Sequence, residues 1–247
     1  MTRPFTLTRL RKPRGESLPD HSHGAAQLTF AASGMVQVRT EDGVWLVPPQ
    51  LAAWIPPGAP HRLDILTDAD LWMIFWEPSA MACWMPGTFP ARAFVSRVSP
   101  LLRSLLDAAT AADPASERVE LMVRLILHEL TATEEAPTFL PRPTSAEARR
   151  VADLALADRR NELDLDTLAR RAATSVRTAS RRFPEETGMT LKAWRQRARI
   201  LWAMTQLGQG QPIARVARDA GFASTAAFSH AFRQVTTVTP SAFLSPP

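Results

Sequence analysis

Three of the five histidines in this 247-residue chain fall in two short motifs. His21, His23 and Gln27 are spaced H-x-H-x3-Q, with Gly15 six positions before and Gly34 seven positions after. His61 closes the run Pro56-Pro57-Gly58-Ala59-Pro60-His61. Residues two apart on a strand share a face, so His21 and His23 are expected to point the same way. His61 is expected to arrive from another strand. Three imidazoles and one amide oxygen are a donor set for a divalent transition metal. A neutral Gln27 binds a cation more weakly than a carboxylate would. The same four side chains can instead line a ligand pocket through hydrogen bonds, and the residues leave both readings open. Trp45, Trp54 and Trp76 lie on β-prone stretches and are candidates to line that pocket, since ligand sites are mostly apolar with few polar groups.

A second chemistry stands in the last third. Leu163–Phe183 and Pro212–Phe232 each read as a short amphipathic helix, a polar break and a second helix with an apolar anchor. In the first, Leu165, Leu168, Ala169 and Ala172 form a buried stripe and Ser175 caps the next helix. With Ala179 and Phe183 inward, Arg177, Thr178, Ser180, Arg181 and Arg182 remain outside. Arg reads guanine edges in a major groove, and Arg, Ser and Thr hold phosphates. In the second, Phe228 and Phe232 anchor a helix whose outer set is Thr225, Ala226, Ser229, His230 and Arg233. This face is nearly neutral and is expected to lean on backbone contacts and thymine methyls. A helix over Thr190–Leu207 joins the two. About 18 residues at the α-helical rise span roughly 27 Å, which suits successive major grooves. Lys192, Arg195, Arg197 and Arg199 are assigned to its outer face, some of them, Lys192 and Arg195 among them, within reach of phosphates. Pro184 removes a helical hydrogen bond, so the first reading helix is expected to kink or end after Phe183.

The elements that position these residues differ between the two halves. Residues 20–76 read as short strands with turn punctuation, including an Asp42-Gly43 hairpin signal. Many short strands with regular turns suggest a small barrel or sandwich. Leu101–Thr110 and Glu117–Thr131 have helical periodicity, and the second has a wide apolar face. That face can pack on the barrel, join a second copy across a two-fold axis, or do both. Glu134–Thr144 holds three prolines and reads as a linker. Charge divides at the same place. Residues 1–139 carry 12 Lys and Arg against 15 Asp and Glu, leaving −3; residues 140–247 carry 17 against 9, leaving +8. Only the back half is suited to a polyanion. One cysteine, Cys83, excludes an intrachain disulfide. No signal-peptide pattern and no membrane-length apolar run is seen, so a cytoplasmic protein is expected.

The histidine motifs resemble the two motifs of the cupin barrel, with three departures. Gln27 stands for the usual carboxylate, Gln50 for a glycine and Ile65 for an asparagine. The back half is similar to the AraC/XylS family of transcriptional regulators over about Ala146–Phe243. The residues that carry this are Leu165-x2-Leu168-Ala169, Ser175, Arg181-x-Phe183, Glu186-x-Gly188, Ile213-x2-Val216-Ala217, Ala220-Gly221-Phe222, Phe228-x3-Phe232 and Val238-Thr239-Pro240. Ala179, Ala227 and Pro184 depart from its pattern. Members of that family often carry a cupin-like sensing domain in front. The run from Trp45 to Gly58 looks like a subgroup whose members regulate neighbouring efflux transporters.

The resemblance implies two domains. An all-β cupin-like barrel with a helix pair would sense ligand and dimerise over 1–133. Residues 134–144 would link it to an all-α DNA-binding domain with two helix-turn-helix units over 145–247. The implied function is a ligand-responsive, sequence-specific transcriptional regulator of a neighbouring efflux or catabolic gene, with no catalytic residues. Its partners would be double-stranded DNA, a small-molecule effector, a second copy of the chain and, for an activator, RNA polymerase. No cofactor is required, with room for a divalent metal in the barrel at His21, His23, Gln27 and His61. The alternatives are a metal-dependent cupin enzyme fused to a DNA-binding module and a constitutive DNA binder with a vestigial barrel.

Overall fold

The computed structural model describes residues 3–85, 87 and 89–244. They divide into two compact units, one mostly β up to Ala136 and one mostly α from Pro137, the second also taking in Glu41–Val44. The first unit holds β1 (Phe5–Lys12), β2 (Ser17–His21), β3 (Ala26–Ser33), β4 (Val36–Arg39), β5 (Gly43–Val47), β6 (Leu51–Ile55), β7 (His61–Ile65) and β8 (Ala69–Trp76). After these come α1 (Pro78–Trp84), β9 (Phe94–Arg97), α2 (Pro100–Ala111) and α3 (Glu117–Ala132). One antiparallel sheet runs β1-β8-β3-β6-β9; the other contains β5-β4-β7-β2. Together they make the cupin-like β domain. The basic N-terminal stretch is a full edge strand here, with Phe5 opposite Trp76 and Lys12 opposite Ala69.

Strand alternation gives the first sheet two different faces. Leu28 and Phe30 of β3, Trp54 of β6, and Ile74 and Trp76 of β8 share one core with Leu102 and Leu106 of α2 and Val119, Val123 and Ile126 of α3. The opposite face of the same strands carries Gln27, Thr29, Met73 and Phe75. Trp54 and Trp76 therefore pack under the helices, their rings 5.7 Å apart. This corrects their assignment to the pocket lining. Alternation from Gln27, which is buried at 2 % exposure, puts them on the other side of the sheet. Trp45 is buried on β5 of the second sheet.

The second unit holds α4 (Ala146–Ala157), α5 (Leu165–Arg171), α6 (Val176–Thr187), α7 (Leu191–Gly208), α8 (Ile213–Asp219), α9 (Thr225–Thr236) and α10 (Pro240–Leu244). Side-chain caps start six of these: Ser145, Asp164, Ser175, Thr190, Ser224 and Thr239 each accept from the backbone N–H three residues on. The segment read as a linker is partly built into this unit. Phe139–Pro141 forms β10, and the Trp194 indole N–H donates to the Pro141 carbonyl at 2.8 Å.

Pro184 does not end α6. The helix runs on to Thr187 and closes on Gly188 at φ +67°. Proline removes one bond, the one to Ser180, and the last turn is secured from outside. The Glu186 carboxylate accepts from the N–H groups of Thr144 and Ser145 at 2.8 and 2.9 Å. Burial raises the Glu186 pKa, but these hydrogen bonds outweigh it and the net shift is downward.

The outer-face assignment is also corrected: Arg197 donates to the Phe139 carbonyl and Arg199 to the Ala220 carbonyl, and Arg195 is buried. Its side chain is 9 % exposed and ion-paired with Asp158, whose side chain is 8 % exposed. Its other arm donates to the Leu163 carbonyl at 2.8 Å. The same Asp158 carboxylate accepts from the N–H groups of Glu162 and Leu163. Arg195 thus fastens the α4–α5 loop to α7 and is not available to phosphates. Removing one partner of a buried pair leaves the other charge unpaired. Arg195→Ala should lower unfolding free energy by about 3–5 kcal/mol in denaturant titration. A loss below about 1 kcal/mol would mean the pair is effectively solvated.

Candidate effector site and nucleic-acid interface

In the β unit the three histidines converge. His21 ends β2 and lies directly opposite His61 of β7 in the antiparallel register. Their rings are 4.2 Å apart. His23 does not share a strand with His21, because β2 stops at His21. A loop brings it instead, held by the Gly58 N–H donating to the His23 carbonyl at 2.8 Å. Gly58 sits at φ +76°, a left-handed turn that suits glycine. The His23 ring is 5.2 Å from His61 and 5.8 Å from His21. One nitrogen from each ring lies within 4.8 Å of the others.

Each ring is oriented the same way. Nδ1 of His21 contacts the Pro19 carbonyl at 2.7 Å, that of His23 the Ala25 carbonyl at 2.8 Å, and that of His61 the Ala59 carbonyl at 2.9 Å. A carbonyl only accepts, so each Nδ1 carries a hydrogen and a neutral ring keeps its lone pair on Nε2. Burial pushes the His61 pKa below the ordinary histidine value; the Ala59 bond opposes this, and His21 and His23 add to the lowering. Nε2 of His61 is buried and has no hydrogen-bond partner.

Gln27 reaches the cluster from β3. Its amide N–H donates to Thr29 Oγ1 at 2.7 Å and to Met73 Sδ at 3.5 Å. That orientation turns Oε1 to His23 Nε2, at 2.7 Å. With Nδ1–H already committed to Ala25, the facing pair is two acceptors unless a proton or another cation lies between them. Trp54 and Trp76 are not brought to this cluster.

The helical unit repeats one device twice. In the turn after α5, Ala173 takes φ +52°; in the turn after α8, Gly221 takes φ +69°. An added Cβ on Gly221 would meet the Arg160 carbonyl oxygen at 2.2 Å, so this turn requires glycine. Arg150 of α4 donates to the Ala172 carbonyl at 2.8 Å and Arg199 of α7 to the Ala220 carbonyl at 2.7 Å. Each arginine closes the end of a positioning helix. Phe183 and Phe232 are each fully buried at matching places on α6 and α9.

Aligning the two reading helices on these anchors sets Arg177 against Ala226, Ser180 against Ser229 and Arg181 against His230. Arg177, Ser180 and Arg181 are exposed on α6, with Thr178 and Arg182 half-buried beside them. On α9, Thr225, Ala226, His230 and Arg233 are exposed and Ser229 is half-buried. Lys192 is exposed near the start of α7. Two of the α6 arginines are engaged: Arg181 with Glu185 at 3.0 Å and Arg182 with Glu147 at 3.5 Å. Glu185 was missed from sequence, although its i, i+4 spacing from Arg181 was legible.

A histidine-lined β domain joined to a double helix-turn-helix unit defines a ligand-binding transcription factor. The chain matches the family model of AraC-like ligand binding domains over residues 6–131 and a helix-turn-helix domain model over residues 168–245. It belongs to the AraC-like family of transcriptional regulators. It is 29% identical over 230 residues to the HTH-type transcriptional regulator NimR of Escherichia coli (strain K12), covering 92% of this chain and 82% of that protein. It is 25% identical over 235 residues to the arabinose operon regulatory protein of the same organism, covering 87% and 79%. Apo ToxT K231A from Vibrio cholerae shares 12% identity at a TM-score of 0.43, covering 98% of this chain and 97% of that one. NimR and the arabinose operon protein are named as regulators and give no support to the enzyme alternative.

If α6 reads bases, Arg181 must leave Glu185 to do so. An exposed pair of this kind is worth little. Arg181→Ala should weaken specific binding by about 1–3 kcal/mol and relax one base position. Glu185→Gln should tighten binding severalfold in the same gel-shift assay. Unchanged affinity and base preference in both variants would place the reading face elsewhere.

Proposed function

We propose that this regulator senses its effector at the His21, His23, Gln27 and His61 cluster and reads DNA chiefly through α6. The observation that carries the first part is the buried, partnerless Nε2 of His61 beside two further imidazoles. The second rests on Arg177, Ser180 and Arg181, for which α9 offers Ala226, Ser229 and His230. Lys192 and Arg233 supply phosphate contacts, and Thr225 and Ala226 the closer contacts of the weaker unit. The protein acts in the cytoplasm on a transcription unit near its own gene, one for efflux or catabolism. An effector is a switch only if it binds the DNA-competent and incompetent states with different affinity.

The four donors suit a divalent transition metal. All three Nδ1 atoms are held by backbone carbonyls, the outer-shell arrangement that orients a ligating imidazole. Gln27 Oε1 and His23 Nε2 face each other as two acceptors, a place a cation would satisfy. A bound ion would give the effector a Lewis-acid anchor; His61 and Gln27 would hold it from within and His21 from the exposed side. Chelator-stripped protein should melt at a higher temperature with Co2+, Ni2+ or Zn2+, and His61→Ala should lose that gain. Equal melting of stripped and metal-treated wild type would exclude the ion and leave a hydrogen-bonding pocket.

Self-association is assigned to the outer face of α3. Val119, Val123, Ile126 and Leu130 pack inward, while Leu121 and Leu125 are 57 % and 42 % exposed. With Arg118, His128 and Ala132 they make a stripe spaced three and four residues apart. That spacing is the one a two-helix seam uses, with Leu121 and Leu125 as its large apolar positions. Leu121→Arg combined with Leu125→Arg should turn a dimer into a folded monomer by light scattering; a dimer that survives both changes uses another face.

A further inference from the structure

We infer that this cluster takes its cation together with an oxygen-donor anion, such as a small carboxylate, because Gln27 leaves the protein's own donor set without charge. This rests on the metal reading of the same site. Three neutral imidazoles and one amide oxygen contribute no negative charge. A divalent ion among them keeps its full charge. The surroundings do not offset it. Gln27 is 2 % exposed, Thr29 is fully buried and His61 is 1 % exposed. The groups in contact with Gln27 are Thr29, Met73 and His23. The edge-on neighbour of His23 is Phe75, at 5.3 Å. The other side-chain groups acting on His61 are imidazoles, with no carboxylate among them. The acidic side chain next in sequence, Asp20, is exposed and acts on Arg62.

An unpaired charge in such surroundings is costly, and it is retained only with a counter-charge. The protein lacks that counter-charge, so the ligand must bring it. The route is open on one side: His21 is exposed while His61 is buried. An anion entering past His21 meets the cation before it meets the Thr29, Met73 and Phe75 wall. The ligand class is then a small oxyanion whose remaining body is apolar enough for that wall. Cation and anion would each raise the other's affinity by the same factor, as linkage requires.

The test uses the full chain, stripped of metal and held in a perchlorate medium. Co2+ is titrated while its visible absorption and the protein's melting temperature are followed. The titration is repeated with acetate, benzoate and phosphate in turn. The expected result is weak Co2+ binding alone and binding tightened about tenfold or more by at least one carboxylate. A response to phosphate alone would show an inorganic oxyanion site and overturn the carboxylate assignment. Gln27→Glu supplies the missing charge and should bind Co2+ more tightly without anion, with the coupling lost. Co2+ binding that is equally tight in wild type with and without every anion would overturn the inference while sparing the metal reading. Absence of Co2+ binding under all conditions would overturn the metal reading itself. The wild-type arms stand without the variant, so a misfolded Gln27→Glu protein does not remove the test.

Discussion

A β-strand has two faces and no third, and the β unit depends on how its first sheet uses them. Every second residue of β3, β6 and β8 feeds an aromatic and aliphatic core under α2 and α3. The residues between them face the other way, where Gln27, Thr29 and Met73 make their hydrogen bonds. Packing stability and the polar cluster are thus carried by alternate positions of the same strands. A shift of one residue in register would send Gln27 under the helices and Trp54 into the site. The dense indole and phenyl layer outside the sheet holds the polar side in place. Burying those rings supplies the apolar energy that sets off the cost of keeping a glutamine, a threonine and a histidine out of water.

The helical unit solves a related problem with arginine. Short helices such as α5 and α8 leave carbonyls unsatisfied at their ends. Arg150 and Arg199 fill those needs from the long helices α4 and α7. Burial lowers the Arg199 pKa, as it does that of Arg195 and Arg197. These guanidiniums are structural, and the unit's net positive charge overstates what is free to meet DNA. Arginine, free or ion-paired, is unevenly spread over the two reading helices. The first reading helix has arginines at two places where the second has alanine and histidine. The proposed division of work between two units of one architecture, α6 discriminating bases and α9 positioning the protein, rests on that difference.

Much of this was legible in the sequence. Turn residues marked the strands, and the cap Ser175 stood where α6 begins. The histidines were identifiable by type and spacing. Their meeting was expected from the motifs, but not its route: His21 faces His61 through a strand register that no local pattern encodes, and His23 comes from a loop held by Gly58. Trp54 and Trp76 were misplaced for a different reason. All five residues of β6 are buried, and a strand buried on both faces has no apolar alternation to read. Arg195 was misread because α7 is buried around much of its circumference, so an arginine there need not face water. Pro184 shows a local rule outweighed by a tertiary contact, the Glu186 carboxylate on the first turn of α4.

The central claim is that one of two similar units sets DNA specificity. Genome-wide mapping of the DNA this protein occupies tests it most directly. The account predicts a shared motif of two elements about one helical turn, roughly 10 base pairs, apart. One element should carry much more sequence information than the other. Two equally informative elements, or occupancy with no shared motif, would contradict it.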